Sequence, residues 1–178
     1  FVSVLQKFIK GFHDREDKFK LKEIVKSEEP IHYKFDSARK FVTHSFTGSS
    51  DDLQRLLSLS PNSFIGINGC SLKTDENLEC AANVPVERLL LETDAPWCDI
   101  RRTHASYKYL VNYESPFKAV KKDKLSKLPA DDWSHTMIKA RNEPCTMEQV
   151  ATVVANLKQV DLHVLVDQVW RNSMEVYG

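Results

Sequence analysis

The chain has 178 residues, enough to bury one sizeable core, and its apolar (42%) and charged (28%) fractions are ordinary for a globular protein. Lys plus Arg number 25 and Asp plus Glu number 25, so the net charge is zero; no molecule-wide field draws it to nucleic acid, and any such affinity must come from a local patch. No apolar stretch approaches the length of a membrane span, and the first dozen residues are too charged for a signal peptide. The four cysteines show neither a C-x-x-C pair nor zinc spacing, and they read as reduced thiols of an intracellular protein, in cytoplasm or nucleus.

Phe1 to Phe12 places Val4, Leu5, Phe8, Ile9 and Phe12 close to the spacing of an amphipathic helix, with Gly11 near its end. His13 to Lys40 is charged and aperiodic. It is expected to be a surface insertion with one short helix around Phe19 to Val25, and His13 and His32 read as surface residues. The chain thus divides into a helix and charged insertion over 1–40 and a folded unit over 41–178.

Phe41 to Phe46 alternates as a strand does, with Val42, His44 and Phe46 on one face. Ser49 or Ser50 can cap a helix with Asp51 and Asp52 in its first turn and Leu53, Leu56 and Leu57 facing the core. A strand over Phe64 to Asn68 follows, then a helix capped by Thr74 that runs to Asn83, then a strand at Leu89. Three strands separated by helices at roughly two dozen residues per unit have the rhythm of a parallel sheet.

Residues 98–145 are polar and irregular. Lys118, Lys121, Lys122, Lys124 and Lys127 follow Tyr107, Tyr109, Tyr113 and Phe117 there. Basic residues beside aromatics suit a nucleic-acid backbone and a stacked base, and equally a solvated loop. Thr146-Met147-Glu148-Gln149 has the form of a capping box before a helix whose apolar face is Met147, Val150, Val153, Val154 and Leu157. Asp161 caps a second helix, with Leu162, Leu165, Val166, Val169, Trp170 and Tyr177 as its apolar face.

The chemistry centres on Arg88 to Cys98. Three leucines lead into Glu92 and Asp94, and Pro96 stops the ladder. An apolar run ending in acids reads as a buried parallel strand with Leu90, Glu92 and Asp94 on one face. At the carboxyl end of such a strand, carboxylates either pair with cations as structure or hold a metal. His44, near the end of another strand, is on spacing alone either a hydrogen-bonded core residue or a ligand. Cys70 and Cys98 lie beside these motifs but have no His–Asp pair to activate them.

Leu-Leu-Leu-Glu-Thr-Asp-Ala-Pro-Trp (89–97) resembles a signature of the TatD family of metal-dependent deoxyribonucleases. Val-Thr-His-Ser-Phe-Thr-Gly (42–48) and Arg-Asn-Glu-Pro (141–144) agree with that family in order, and Gly-Ile-Asn-Gly-Cys-Ser-Leu-Lys-Thr (66–74) is similar to its eukaryotic branch. The resemblance implies a TIM-type (β/α) barrel that hydrolyses DNA phosphodiesters, acting as an exonuclease. The expected cofactor is a divalent metal, Mg²⁺ first, with Mn²⁺ or Zn²⁺ as alternatives, as one ion or two. It makes His44 and Asp94 metal ligands, and Asp94 also the group that orients the attacking water. Glu92 becomes a carboxylate that orients ligands, and Arg141, Asn142 and His104 become candidates for substrate contact. The remaining readings are a buried ion pair for Glu92, a brace at the barrel end for the 141–143 loop and a surface residue for His104.

The family's His-x-His strand, a central Glu and a further His have no counterpart here. The chain therefore matches about the last three strands of the eight-stranded barrel. The expectation is an α/β C-terminal part of such a barrel that lacks a complete metal shell until the N-terminal half supplies it and is inactive alone. The alternative is a non-catalytic relative that binds DNA or a partner through its basic loop.

Overall fold

The computed structural model describes residues 1–10, 12–13, 32–33, 35–36 and 38–178, with 10, 12, 13, 32 and 33 as backbone only. The expected helix around Phe19 to Val25 lies outside the described residues, as do the side chains of His13 and His32. Helix α1 (Val2–Lys10) is followed by an antiparallel pair of two-residue strands, β1 (Phe12–His13) and β2 (His32–Tyr33).

The centre is a three-stranded parallel sheet, β3 (Phe41–Thr43), β4 (Ser63–Ile67) and β5 (Leu89–Leu91), in the order β3-β4-β5. Helix α2 (Ser50–Leu59) links β3 to β4, and α3 (Asp75–Asn83) links β4 to β5. Every residue of β4 is buried, as the middle strand of a sheet covered on both faces must be. The expected caps form. Ser49 closes a capping box with Asp52, and Thr74 closes one with Asn77. The last carbonyls of α2 are met by Arg88, whose guanidinium donates to Leu57 and Ser60, and those of α3 by Lys158, whose ammonium donates to Ala82 and Val84.

Residues 98–145 are more ordered than the composition suggests. They contain a parallel pair, β6 (Lys118–Val120) and β7 (Thr136–Ile138), joined through the short helix α4 (Lys122–Leu125). The five lysines are exposed, as expected. Two of the four aromatics are turned away from them. Tyr109 and Tyr113 pack on the core, and Tyr113 donates to Glu148. Burial and that carboxylate push the Tyr113 hydroxyl up to about 12.

Helices α5 (Met147–Lys158) and α6 (Leu162–Tyr177) close the core. Val150, Val153, Val154 and Leu165 are buried with Leu53, Ile65, Ile67 and Leu89. Two expectations fail here. Thr146 makes no capping box, because its hydroxyl is bound to Asn142 Oδ1 (2.6 Å) and the Glu143 carbonyl (2.8 Å). On α6, Leu165 and Val169 face the core, but Val166, Trp170 and Tyr177 are exposed. The face the sequence reserves for packing is therefore only half covered. Val166 and Trp170 line an apolar groove of about 510 Å³ with Leu91 and Met147. No helix among the described residues is long and apolar enough to cross a membrane.

Asn172 joins α6 to the sheet. It is 1% exposed, and its amide donates to the carbonyls of Val86 (2.7 Å) and Leu89 (2.8 Å). Truncation would take this donor from the buried Leu89 carbonyl and leave the Val86 carbonyl only the Leu89 N–H. Asn172→Ala should lower the unfolding free energy by about 1–3 kcal/mol, read as a lower denaturant midpoint at unchanged slope; an unmoved midpoint would contradict this role.

Candidate metal centre

The register Thr43↔Ile65 and Ile67↔Leu91 brings the carboxyl ends of β3, β4 and β5 to one edge of the sheet. The chain leaves each outer strand early. β3 stops at Thr43, so His44 does not share a strand face with Val42 and Phe46. Ser45 turns at φ 54°, and Phe46 N–H rejoins the Gly66 carbonyl at 2.9 Å. β5 stops at Leu91, so Glu92 and Asp94 are not strand residues of one face; Asp94 sits at φ 51° and Cys98 at φ 57°. Three of the five non-glycine residues with positive φ among those described thus flank this one site. Such conformations persist only where surrounding contacts over-determine them.

The contacts that do so converge on two carboxylates. Glu92 Oε2 accepts the Ser45 N–H (3.0 Å) and lies 2.6 Å from His44 Nδ1. Asp94 Oδ2 accepts the Ser45 hydroxyl (2.9 Å) and the Asn68 amide (2.8 Å). Asp94 Oδ1 is 3.4 Å from His44 Nε2. Ring and carboxylates thus form a chain, Glu92 to Nδ1 and Nε2 to Asp94. A neutral imidazole donating from Nδ1 to Glu92 presents its lone pair on Nε2, toward Asp94. This is the arrangement in which a carboxylate orients a metal-binding histidine.

Two residues not singled out from the sequence hold the cluster. Asn68 is fully buried at the end of β4. Its Nδ2 donates to Asp94 and to Ser45 Oγ, while its Oδ1 accepts the backbone N–H groups of Cys70 (2.8 Å) and Ser71 (3.2 Å). Gly66 lies directly under Glu92, and a Cβ there would overlap Glu92 Oε1. A polar residue ending an otherwise buried apolar strand is the sequence signal that marks Asn68. Gly66 carries none, since its role is a cross-strand clearance.

His44 is an exposed ring whose pKa is raised, first by its hydrogen bond to Glu92, then by that carboxylate's charge, with Asp94 adding and desolvation opposing. His44, Glu92 and Asp94 form the one group of three or more metal-ligating side chains among the described residues, with ligand atoms within 4.8 Å of one another. One imidazole nitrogen and carboxylate oxygens suit a divalent cation of hard or borderline character. A cavity of about 360 Å³, lined in part by Thr47 and Arg55, opens beside His44.

The other expected site residues lie apart from this cluster. Asn142 is 4% exposed and fully engaged: its Nδ2 donates to the Thr93 carbonyl (2.7 Å), its N–H to Pro96 (3.0 Å), and its Oδ1 accepts from Thr146. It braces the loop that carries Asp94. Arg141 is exposed next to that brace. His104 begins the 3-10 turn Ala105–Leu110. Burial, then the charges of Lys73 and Arg101, lower its pKa, so it is a neutral ring beside cations.

The family model for TatD related DNase matches residues 8–178. The chain belongs to the TatD family. It is 53% identical, over its full length, to the deoxyribonuclease Tat-D of Saccharomyces cerevisiae, of which it covers 44%. It is 31% identical over 76% of its length to a 3'-5' ssDNA/RNA exonuclease TatD of Yersinia pseudotuberculosis, covering 41% of it. The crystal structure of an uncharacterized amidohydrolase from S. cerevisiae superposes with a TM-score of 0.88 at 52% identity, over 99% of this chain and 50% of that one. A TatD family hydrolase from Entamoeba histolytica superposes with a TM-score of 0.66 at 31% identity, over 78% of this chain and 42% of that one. The chain spans about half the length of the TatD relatives it matches.

The raised pKa of His44 makes a prediction. Folding with the proton on His44 is favoured below the ordinary imidazole value, and that contribution is lost as pH rises through the raised value. In the metal-free protein, Glu92→Gln should bring the His44 titration down toward the ordinary value in an NMR pH series. Gly66→Ala, which displaces Glu92 without altering either partner, should do the same. A His44 pKa unmoved in both variants would mean that Glu92 does not govern the ring.

Proposed function

We propose that this chain carries a catalytic metal site of a DNA-hydrolysing TatD enzyme that removes nucleotides from a DNA end. The observation that carries the reading is the aligned set in which Glu92 holds His44 Nδ1 and leaves Nε2 3.4 Å from Asp94 Oδ1. His44 Nε2 and Asp94 would bind the ion, Mg²⁺ foremost and Mn²⁺ or Zn²⁺ otherwise. When bound, such an ion lowers the pKa of a water and offsets phosphate charge.

The chain's own groups then have separable tasks. Glu92 fixes the tautomer and plane of His44. Ser45 and Asn68 occupy Asp94 Oδ2, so that Oδ1 is left to face the ligand position and to orient the attacking water. Arg141, exposed beside the Thr93–Pro96 segment that Asn142 braces, suits a phosphate through its planar fork. His104, whose pKa burial and the charges of Lys73 and Arg101 lower, is the second candidate for a phosphate contact.

Two protein ligands are few for a catalytic metal, and we read the β3-β4-β5 sheet as the C-terminal arc of a TIM-type barrel whose other strands supply further ligands. Two features support this: the half coverage of the superposed S. cerevisiae structure, and the apolar groove of about 510 Å³ that Leu91, Val166 and Trp170 leave at the β5 edge. Cleavage is accordingly expected of the complete barrel. Intracellular action, in cytoplasm or nucleus, belongs to the same proposal.

The test is divalent-dependent cleavage of DNA by the full-length protein. His44→Ala and Asp94→Ala should each abolish it with folding intact, and Glu92→Gln should slow it by roughly 10–100-fold, as loss of a ligand-orienting carboxylate does. Undiminished cleavage by both alanine variants would refute the assignment.

A further inference from the structure

The loop that carries Asp94 also carries an indole that the proposed hydrolysis does not use. Trp97 is 74% exposed. The other two tryptophans have structural places: Trp133 donates to the Leu128 carbonyl, and Trp170 lines the apolar groove at the β5 edge. Trp97 instead stands on the loop of the metal centre, and its backbone is held there. Its N–H donates to the Asp94 carbonyl at 2.8 Å. A turn closed this way keeps its ends within roughly 7 Å, so Trp97 is rooted next to the proposed metal ligand. Asp94 at φ 51° and Cys98 at φ 57° bracket it, and the Pro96 carbonyl accepts the Asn142 N–H at 3.0 Å. An aromatic side chain with two torsions on a fixed backbone loses little freedom when a ligand arrives.

Cations stand on the segments packed against this loop. The chain beyond Trp97 lies on the loop after β4: a Cβ on Gly69 would overlap the Cys98 carbonyl oxygen, and the Ala105 N–H donates to the Lys73 carbonyl at 3.0 Å. The His104 N–H donates to the Arg101 carbonyl at 2.9 Å. These contacts root Lys73, Arg101 and Arg102 on adjoining backbone, and all three are exposed. Arg102 Cζ lies 6.0 Å from the centre of the Tyr107 ring. Arg101 is paired with Asp99 at 3.1 Å, whereas Lys73 and Arg102 enter no ion pair among the described residues. The result is a local cationic patch on a chain whose net charge is zero.

We propose that Trp97 stacks an unpaired nucleobase of the strand being cut, beside the metal centre, and that Lys73 and Arg102 hold phosphates of the same strand. An exposed aromatic next to unpaired cations is the combination that binds single strands: the ring takes the base, and the cations take the backbone. Every base has a π face, so such a platform accepts any sequence. A base inside a duplex is stacked between its neighbours and cannot lie on the indole, so the surface selects a single-stranded end. The inference rests on the reading of this site as a DNA hydrolase and names the form of DNA it takes.

The experiment is fluorescence anisotropy of a labelled short oligodeoxythymidylate with the full-length protein in EDTA, so that binding is read without metal-dependent cleavage. Trp97→Ala should weaken binding by roughly 5–100-fold, the scale of one stacked base. Trp97→Phe should keep most of the affinity, and Trp133→Ala should bind as the parent does. Lys73→Ala and Arg102→Ala should each reduce the slope of log affinity against log salt by roughly 0.7, the share of one phosphate contact on a single strand. Binding of a blunt duplex should be unchanged by Trp97→Ala. Full binding of the single strand by Trp97→Ala, an equal loss on the duplex, or an unmoved salt slope in both cation variants would overturn the proposal. Those results leave the hydrolase reading standing, since cleavage tests it separately. A parent protein that neither binds nor cleaves DNA would overturn that reading and this inference together.

Discussion

The contact between Glu92 and His44 is the constraint on which the site depends. It joins the two outer strands of the sheet across β4, and it requires β4 to carry no side chain at residue 66. A charge-assisted hydrogen bond of 2.6 Å is short and strong. It fixes the ring, the ring presents Nε2 to Asp94, and Asp94 is fixed in turn by Ser45 and Asn68. The positive φ values at Ser45 and Asp94 follow, because the backbone must leave the ladder to let these contacts form. Strain and cluster are thus two views of one arrangement, in which the parallel sheet is the rigid base and the loop ends carry the chemistry.

Much of this was legible in the sequence, and the reasons are local. The caps at Ser49, Thr74 and Asp161 form because short-range side-chain to backbone bonds need no knowledge of the fold. The apolar run at 89–91 reads as a buried strand for the same reason. His44, Glu92 and Asp94 were marked by their place at strand ends and by resemblance to the TatD family, and the fold brings these three together.

What escaped the sequence depends on contacts between distant segments. The strands end sooner than their alternation suggests, because side chains at the site claim backbone groups that would otherwise extend the ladder. Thr146 fails to cap its helix because Asn142, buried under the Asp94 loop, takes its hydroxyl. Tyr109 and Tyr113, before the lysine run, pack on the core, and Tyr113 is bound to Glu148 of α5. Val166 and Trp170 obey the helical period of α6 yet remain exposed, since periodicity marks an apolar face and says nothing about what covers it. Gly66, the least conspicuous residue of the site, matters only through a cross-strand clearance that no local pattern can encode.

The central claim is that His44 and Asp94 share a divalent cation. An anomalous difference map from crystals of the full-length protein soaked in Mn²⁺ tests it most directly. The account predicts a peak bonded to His44 Nε2 and an Asp94 carboxylate oxygen, with Glu92 still on Nδ1. Bound Mn²⁺ elsewhere in the barrel, with His44 and Asp94 unliganded, would contradict it.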